Sequence, residues 1–245
     1  MAATMKDWNG KEIEIAKSKC GKICVCNYED NLIIPNNSIW PHPDIVKKLY
    51  KSGHSKDFDE QARSELSKKL GFYCDLQSLS SEDAITWSVF GTLQYFPKSA
   101  QIQFINSLLE KINAELQVND CLIQLWTRIA HPDTLVSGGP EIDFLIVCDK
   151  LVLFGESKWT SKVARNQGKK KDKDQIQLRT EFLQKYGKKI FPKADRSLVL
   201  TVSLDSERQN DHCSYVTWET VCKEIQHPLG NEIKEYYLWK MKFGR

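Results

Sequence analysis

The chain has 245 residues, 41% hydrophobic and 27% charged, with a formal net charge of +3. That is the composition of an ordinary globular protein, long enough for one large domain or for one domain with an extension. Its apolar runs fall far short of the roughly 18 residues a membrane span needs, so no membrane partner is expected.

The N-terminal MAATMKDWNGKEIE lacks an apolar core of signal-peptide length, which predicts a cytoplasmic, reducing location. The eight cysteines agree with this, because they are scattered and Cys148 and Cys222 sit in apolar runs. They read as reduced, buried thiols rather than a disulfide framework. Cys20, Cys24 and Cys26 form one cluster, but no second ligand pair matches it, so a β-strand outweighs a structural zinc site.

In chain order, KEIEIA, KICVCNY and NLIIP read as short strands separated by polar turns. PDIVKKLYKSG and DEQARSELSKKLG then predict two helices. These elements suggest an N-terminal extension over residues 1–75, with a role in substrate recognition, ahead of a core over 76–245. SSEDAITWSVFGTLQYF opens that core as a helix with a Ser cap and acids in its first turn. QIQFINSLLEKINAEL carries Ile105, Leu108, Leu109, Ile112 and Leu116 on one helical face, and CLIQLWTRIA is strand-like.

EIDFLIVCDKLVLFGESKW reads as a hairpin whose strands are apolar on both faces. A strand of that kind needs helices on both sides of its sheet. KDKDQIQLRTEFLQKYG predicts a helix ending at Gly187, SLVLTVSL a buried strand, SYVTWETVCKEI a strand or short helix, and NEIKEYYLWKMK a terminal helix. The expected fold class is therefore α/β, with a mixed central sheet flanked by helices on both faces.

The chemistry-bearing residues lie in the hairpin. With Cys148 opposite Leu151, Asp143 falls directly opposite Glu156, and Glu141 opposite Lys158. Opposed side chains have Cβ atoms roughly 4.5–5.5 Å apart, where like charges destabilise a sheet. Such a carboxylate pair requires compensation, and a hard divalent cation is the simplest source. Lys158 leaves the same face as Glu156, two residues further on. Behind it, residues 158–196 hold ten Lys and three Arg against four acids, a net of +9 that leaves −6 for the remainder. A basic segment beside a carboxylate pair suits a polyanion such as nucleic acid, although a lysine-rich solvated face has the same composition.

Pro140-Glu141-Ile142-Asp143, twelve intervening residues and Glu156-Ser157-Lys158 resemble the PD-(D/E)XK nuclease superfamily, the restriction-endonuclease-like fold. The resemblance covers residues 80–205. It departs from the family pattern in one place: Pro140 stands three residues before Asp143 rather than next to it, which leaves a role for Glu141 open.

The resemblance implies a Mg²⁺-dependent endonuclease that cuts DNA phosphodiester bonds, with Mn²⁺ as a substitute metal. Asp143 and Glu156 would bind metal together with the Ser157 carbonyl, and Lys158 would position the attacking water. Glu82, on the opening helix, and Gln175, on the helix after Glu-x-Lys, are further candidates. Arg179 stands where one branch of the family has a tyrosine. Lys162, Arg165, Lys169, Lys170, Lys171 and Arg179 would contact phosphates, which adds affinity without reading sequence. A homodimer is compatible with this reading. The rivals are a catalytically inactive nucleic-acid-binding module of the same fold and a repair or recombination nuclease.

Overall fold

The computed structural model describes residues 3–17, 21–52, 75–134, 139–160, 173–205 and 213–243. The chain divides into two compact units, one of residues 1–95 with 231–245 and the other of residues 96–230. The division falls between Tyr95 and Phe96, and the end of the chain belongs to the first unit.

Side-chain bonds knit the first unit together. In the first unit, β1 (Ala3–Lys6), β2 (Glu12–Lys17) and β3 (Ile23–Val25) form an antiparallel sheet in that order. NLIIP is not a strand: Tyr28–Asn31 makes one 3-10 turn capped by Asn27. The Asn31 amide is used up on the carbonyls of Leu76 and Ser78, at 2.6 and 2.8 Å. Helix α1 spans Pro43–Ser52. The second helix expected in this region falls outside the described residues.

Helix α2 (Glu82–Thr86) begins at Ser81, whose Oγ accepts the Ala84 N–H at 3.0 Å, and continues as a π turn over Trp87–Gly91. That turn is stitched to Ile33: the Trp87 indole donates to the Ile33 carbonyl at 2.9 Å, and Ser88 Oγ accepts the Ile33 N–H at 3.0 Å. Near the C-terminus, Tyr236 donates to the Asn31 carbonyl at 2.8 Å and Trp239 to the Lys6 carbonyl at 3.0 Å.

The second unit starts with α3 (Lys98–Lys111), which stops short of the predicted Leu116 because Asn113 takes a positive φ of 53°. Strands β4 (Cys121–Arg128), β5 (Glu141–Cys148) and β6 (Leu151–Ser157) follow. Then come α4 (Gln175–Ile190), β7 (Arg196–Ser203), β8 (Ser214–Thr217), α5 (Trp218–Glu224) and α6 (Pro228–Met241), the last continuing into the first unit. Helix α4 runs three residues past the expected stop at Gly187.

The sheet order is β4-β5-β6-β7-β8, antiparallel from β4 to β6 and parallel from β6 to β8. The chain is therefore α/β with a mixed sheet. Every residue of β6 is buried, which requires cover on both faces. On one face Leu145, Val152, Phe154 and Val199 pack with Ile176 and Leu183 of α4. The alternate residues Phe144, Ile146 and Leu153 are fully buried as well. As the crossover between two parallel strands, α4 runs back against them, which sets its first turns beside the C-terminal end of β6. Among the described residues, no helix is long and apolar enough to cross a membrane.

Candidate active site

The hairpin has the expected register, with Val147 opposite Val152, Ile146 opposite Leu153, Leu145 opposite Phe154 and Phe144 opposite Gly155. Asp149-Lys150 is a poor two-residue turn by itself. It is held from outside, because Asp149 Oδ1 accepts the Asn119 N–H at 3.1 Å. Continued by one pair, the register brings Asp143 and Glu156 to the α4 face of the sheet, the face of Leu145 and Phe154.

The carboxylates meet different partners there. Asp143 Oδ2 accepts the main-chain N–H of Ser157 at 2.9 Å. Glu156, 1% exposed, has Lys158 Nζ at 2.7 Å from Oε1 and Arg179 Nη2 at 2.7 Å from Oε2. The contact with Arg179 is an ion pair without hydrogen-bonding geometry, and Arg179 Nε is buried without a hydrogen-bond partner. Arg179 Nη2 also donates to the Glu141 carbonyl at 2.7 Å, and Nη1 to the Gln175 carbonyl at 3.3 Å. Burial, and then the neighbouring Asp143 charge, push the Glu156 carboxyl up to about 7; Arg179 and Lys158 oppose that shift without cancelling it.

Lys158 is unusually well fixed for a lysine. Its N–H donates to the Val202 carbonyl at 2.7 Å, and its carbonyl accepts the indole N–H of the fully buried Trp218 at 3.0 Å. Gly155, the residue before Glu156, lies so close to Phe144 that any Cβ would fall 2.1 Å from the ring. On the other neighbouring strand, Trp126 stands across from Asp143 between the pairs Leu125–Phe144 and Thr127–Ile142, with a φ of 46°. A bulky residue held in that region costs about 1–3 kcal/mol and persists only where its surroundings enforce it.

Two cations of the protein itself, Lys158 and Arg179, lie against the Glu156 carboxylate. Arg179 is buried there. A sequence signal for this exists: Ile176, Arg179, Leu183 and Tyr186 recur at helical spacing, so Arg179 sits on the apolar stripe of α4.

Glu141 contributes its carbonyl, and its carboxylate pairs with Arg128 at 3.2 Å. Gln175 is the first residue of α4, one turn before Arg179. Glu82 lies in the first turn of α2, within the first unit. Lys162, Arg165, Lys169, Lys170 and Lys171 lie outside the described residues. Sequence reasoning did not single out Trp218, and nothing in its local pattern marks it as the partner of Lys158.

No family model, curated protein or solved structure matches this chain. Its functional reading therefore rests on the geometry of this cluster. Among the described residues, no group of three or more His, Cys, Asp or Glu side chains converges. The Asp143 and Glu156 carboxylates offer hard oxygens of the kind Mg²⁺ accepts while keeping several waters. The upward displacement of Glu156 comes first from burial and then from the Asp143 charge, and a divalent cation between the two carboxylates would favour their ionised forms. By its chemistry, the site fits the metal.

Proposed function

We propose that this chain is a Mg²⁺-dependent endonuclease with a restriction-endonuclease-like core, hydrolysing DNA phosphodiester bonds. The observation that carries the reading is the gathering of Asp143, Glu156 and Lys158 on one face of one hairpin, where β6 ends beside the parallel β7. Open sheets bind ligands at the carboxyl ends of their parallel strands.

Asp143 and Glu156, with the Ser157 carbonyl, would hold the metal. When bound, Mg²⁺ supplies Lewis-acid polarisation of the phosphate and a water of lowered pKa. The chain's own residues do the rest. Lys158, fixed through Val202 and Trp218, carries an ammonium that stabilises negative charge developing on the phosphate. The first turn of α4 adds the positive end of a sixteen-residue helix within one turn of Arg179. The basic segment with Lys162, Arg165 and Lys169–Lys171 would follow the backbone and make binding salt-dependent.

One observation favours a second reading, an inactive nucleic-acid-binding module. The cluster of two acids and two bases is already balanced without a metal. Plasmid incubated with Mg²⁺ and then with EDTA separates the two. Cleavage in Mg²⁺ that stops in EDTA is expected; binding with no cleavage under any divalent ion favours the module.

A further inference from the structure

Both oxygens of the Glu156 carboxylate are in contact with a protein cation, each at 2.7 Å. A metal ion entering between Asp143 and Glu156 has to take one of those oxygens. The two cations that hold them differ in how they are secured. Lys158 is part of the same strand end, with its main chain pinned on both sides. Arg179 reaches across from α4, and its approach to Oε2 lacks hydrogen-bonding geometry while its Nε goes unpartnered in a buried site. It also has other acceptors, the carbonyls of Glu141 and Gln175, so releasing Glu156 does not strand its guanidinium.

We propose that Arg179 occupies the metal's place on Glu156 in the resting protein, and that a divalent cation enters by displacing it. The displaced guanidinium is then a buried, uncompensated cation beside the metal, and a phosphate group is the partner that restores balance. A planar fork of donors suits that partner. Metal and phosphate therefore bind together and each strengthens the other, a reciprocal coupling. The site takes metal only weakly until nucleic acid is present. This inference rests on the reading of the cluster as a phosphodiesterase centre.

The test is Mn²⁺ binding, followed by electron paramagnetic resonance on the full chain, with and without a short phosphorothioate DNA duplex. The wild type is expected to bind Mn²⁺ weakly alone and at least tenfold more tightly with the duplex. Arg179→Gln should bind Mn²⁺ at least tenfold more tightly than wild type without DNA, and should gain little when the duplex is added. Arg179→Lys keeps the charge but not the fork; it should fall between the two, and it carries the test if Arg179→Gln does not fold. Asp143→Asn should abolish the binding in every background.

Equal Mn²⁺ affinity in wild type and both Arg179 variants, with Asp143 still required, overturns this inference and leaves the metal site standing. Binding that survives Asp143→Asn overturns it as well. No Mn²⁺ binding in any protein, together with no DNA cleavage, removes the phosphodiesterase reading itself.

Discussion

Asp143 Oδ2 accepts the main-chain N–H of Ser157 at 2.9 Å, joining the acid of one strand to the residue between Glu156 and Lys158 on the next. The bond fixes a carboxylate by backbone rather than by a flexible side chain. Asp143→Ala removes a charge-assisted bond in a partly buried site, a loss of about 1.5–3 kcal/mol that relief of the repulsion on Glu156 offsets in part. Asp143→Asn keeps an acceptor oxygen and should recover most of that stability. Neither variant should nick plasmid in Mg²⁺ above about one hundredth of the wild-type rate, the scale on which loss of a single electrostatic contact acts. Thermal melts and a nicking assay check both. Near-normal cleavage by Asp143→Asn would remove this residue from the site.

Glu156 sets a pH dependence whose sign follows from its displacement. Its carboxyl titrates near 4.5 when exposed and near 7 in the folded protein. Because the folded value is the higher, the protonated form is favoured by folding. That contribution to stability is full below pH 4.5 and is lost as the pH rises through 7. A shift of this size corresponds to about 3 kcal/mol. Glu156→Gln, which never ionises, should therefore gain stability relative to wild type as the pH climbs from 4.5 to 7. Mg²⁺ at the proposed metal site would favour the anion and so should narrow that gap near pH 7. Urea titrations across this range, in Mg²⁺ and in EDTA, measure it. A constant difference at all pH values would count against a buried, displaced carboxyl.

The hairpin was readable because its two strands are apolar on both faces, and a turn at Asp149-Lys150 gives the register that sets Asp143 opposite Glu156. What escaped the sequence lies in bonds between distant segments. Nothing local reveals that Ser88 and Trp87 bind Ile33, so the link from the helix after Ser81 back to the N-terminal segment is not legible in the sequence. Helix α3 was read too long because Ile112 and Leu116 continue its periodicity past Asn113, where the backbone turns out of the helix. The spacing of Arg179 from Gln175 does not say which face of α4 meets the sheet. The apolar stripe through Ile176 and Leu183 does say it, once the helix is known to cross from β6 to β7.

Gly155 is where packing and chemistry touch. A Cβ there would sit 2.1 Å from Cε2 and Cζ of Phe144, whose ring is fully buried and has no room to withdraw. Gly155→Ala should cost about 1–3 kcal/mol through overpacking. Because Gly155 immediately precedes Glu156, cleavage should fall further than the lost stability accounts for, even at a temperature where the variant is fully folded. Adding Phe144→Leu opens the space and should restore stability in urea titrations. Gly155→Ala with unchanged stability would mean that the two strands separate more easily than this contact allows.

Lys240, in the first unit, is fully buried, and no described carboxylate pairs with it. Its Nζ lies 3.3 Å from Asn31 Oδ1 and 5.6 Å above the Tyr236 ring. Burial lowers its pKa to about 7, from 10.5 when exposed. The folded value is the lower, so protonation opposes folding. The penalty is full below pH 7 and is relieved as the pH rises toward 10.5, with a total on the order of 5 kcal/mol. Lys240→Met fills the same space without the charge and gives up the bond to Asn31 and the cation–ring contact with Tyr236. It should be more stable than wild type at pH 6, and that advantage should shrink steadily up to pH 10. Unfolding by urea at pH 6, 8 and 10 tests this. A variant less stable than wild type at pH 6 would show that the bond to Asn31 outweighs the cost of burying the ammonium group.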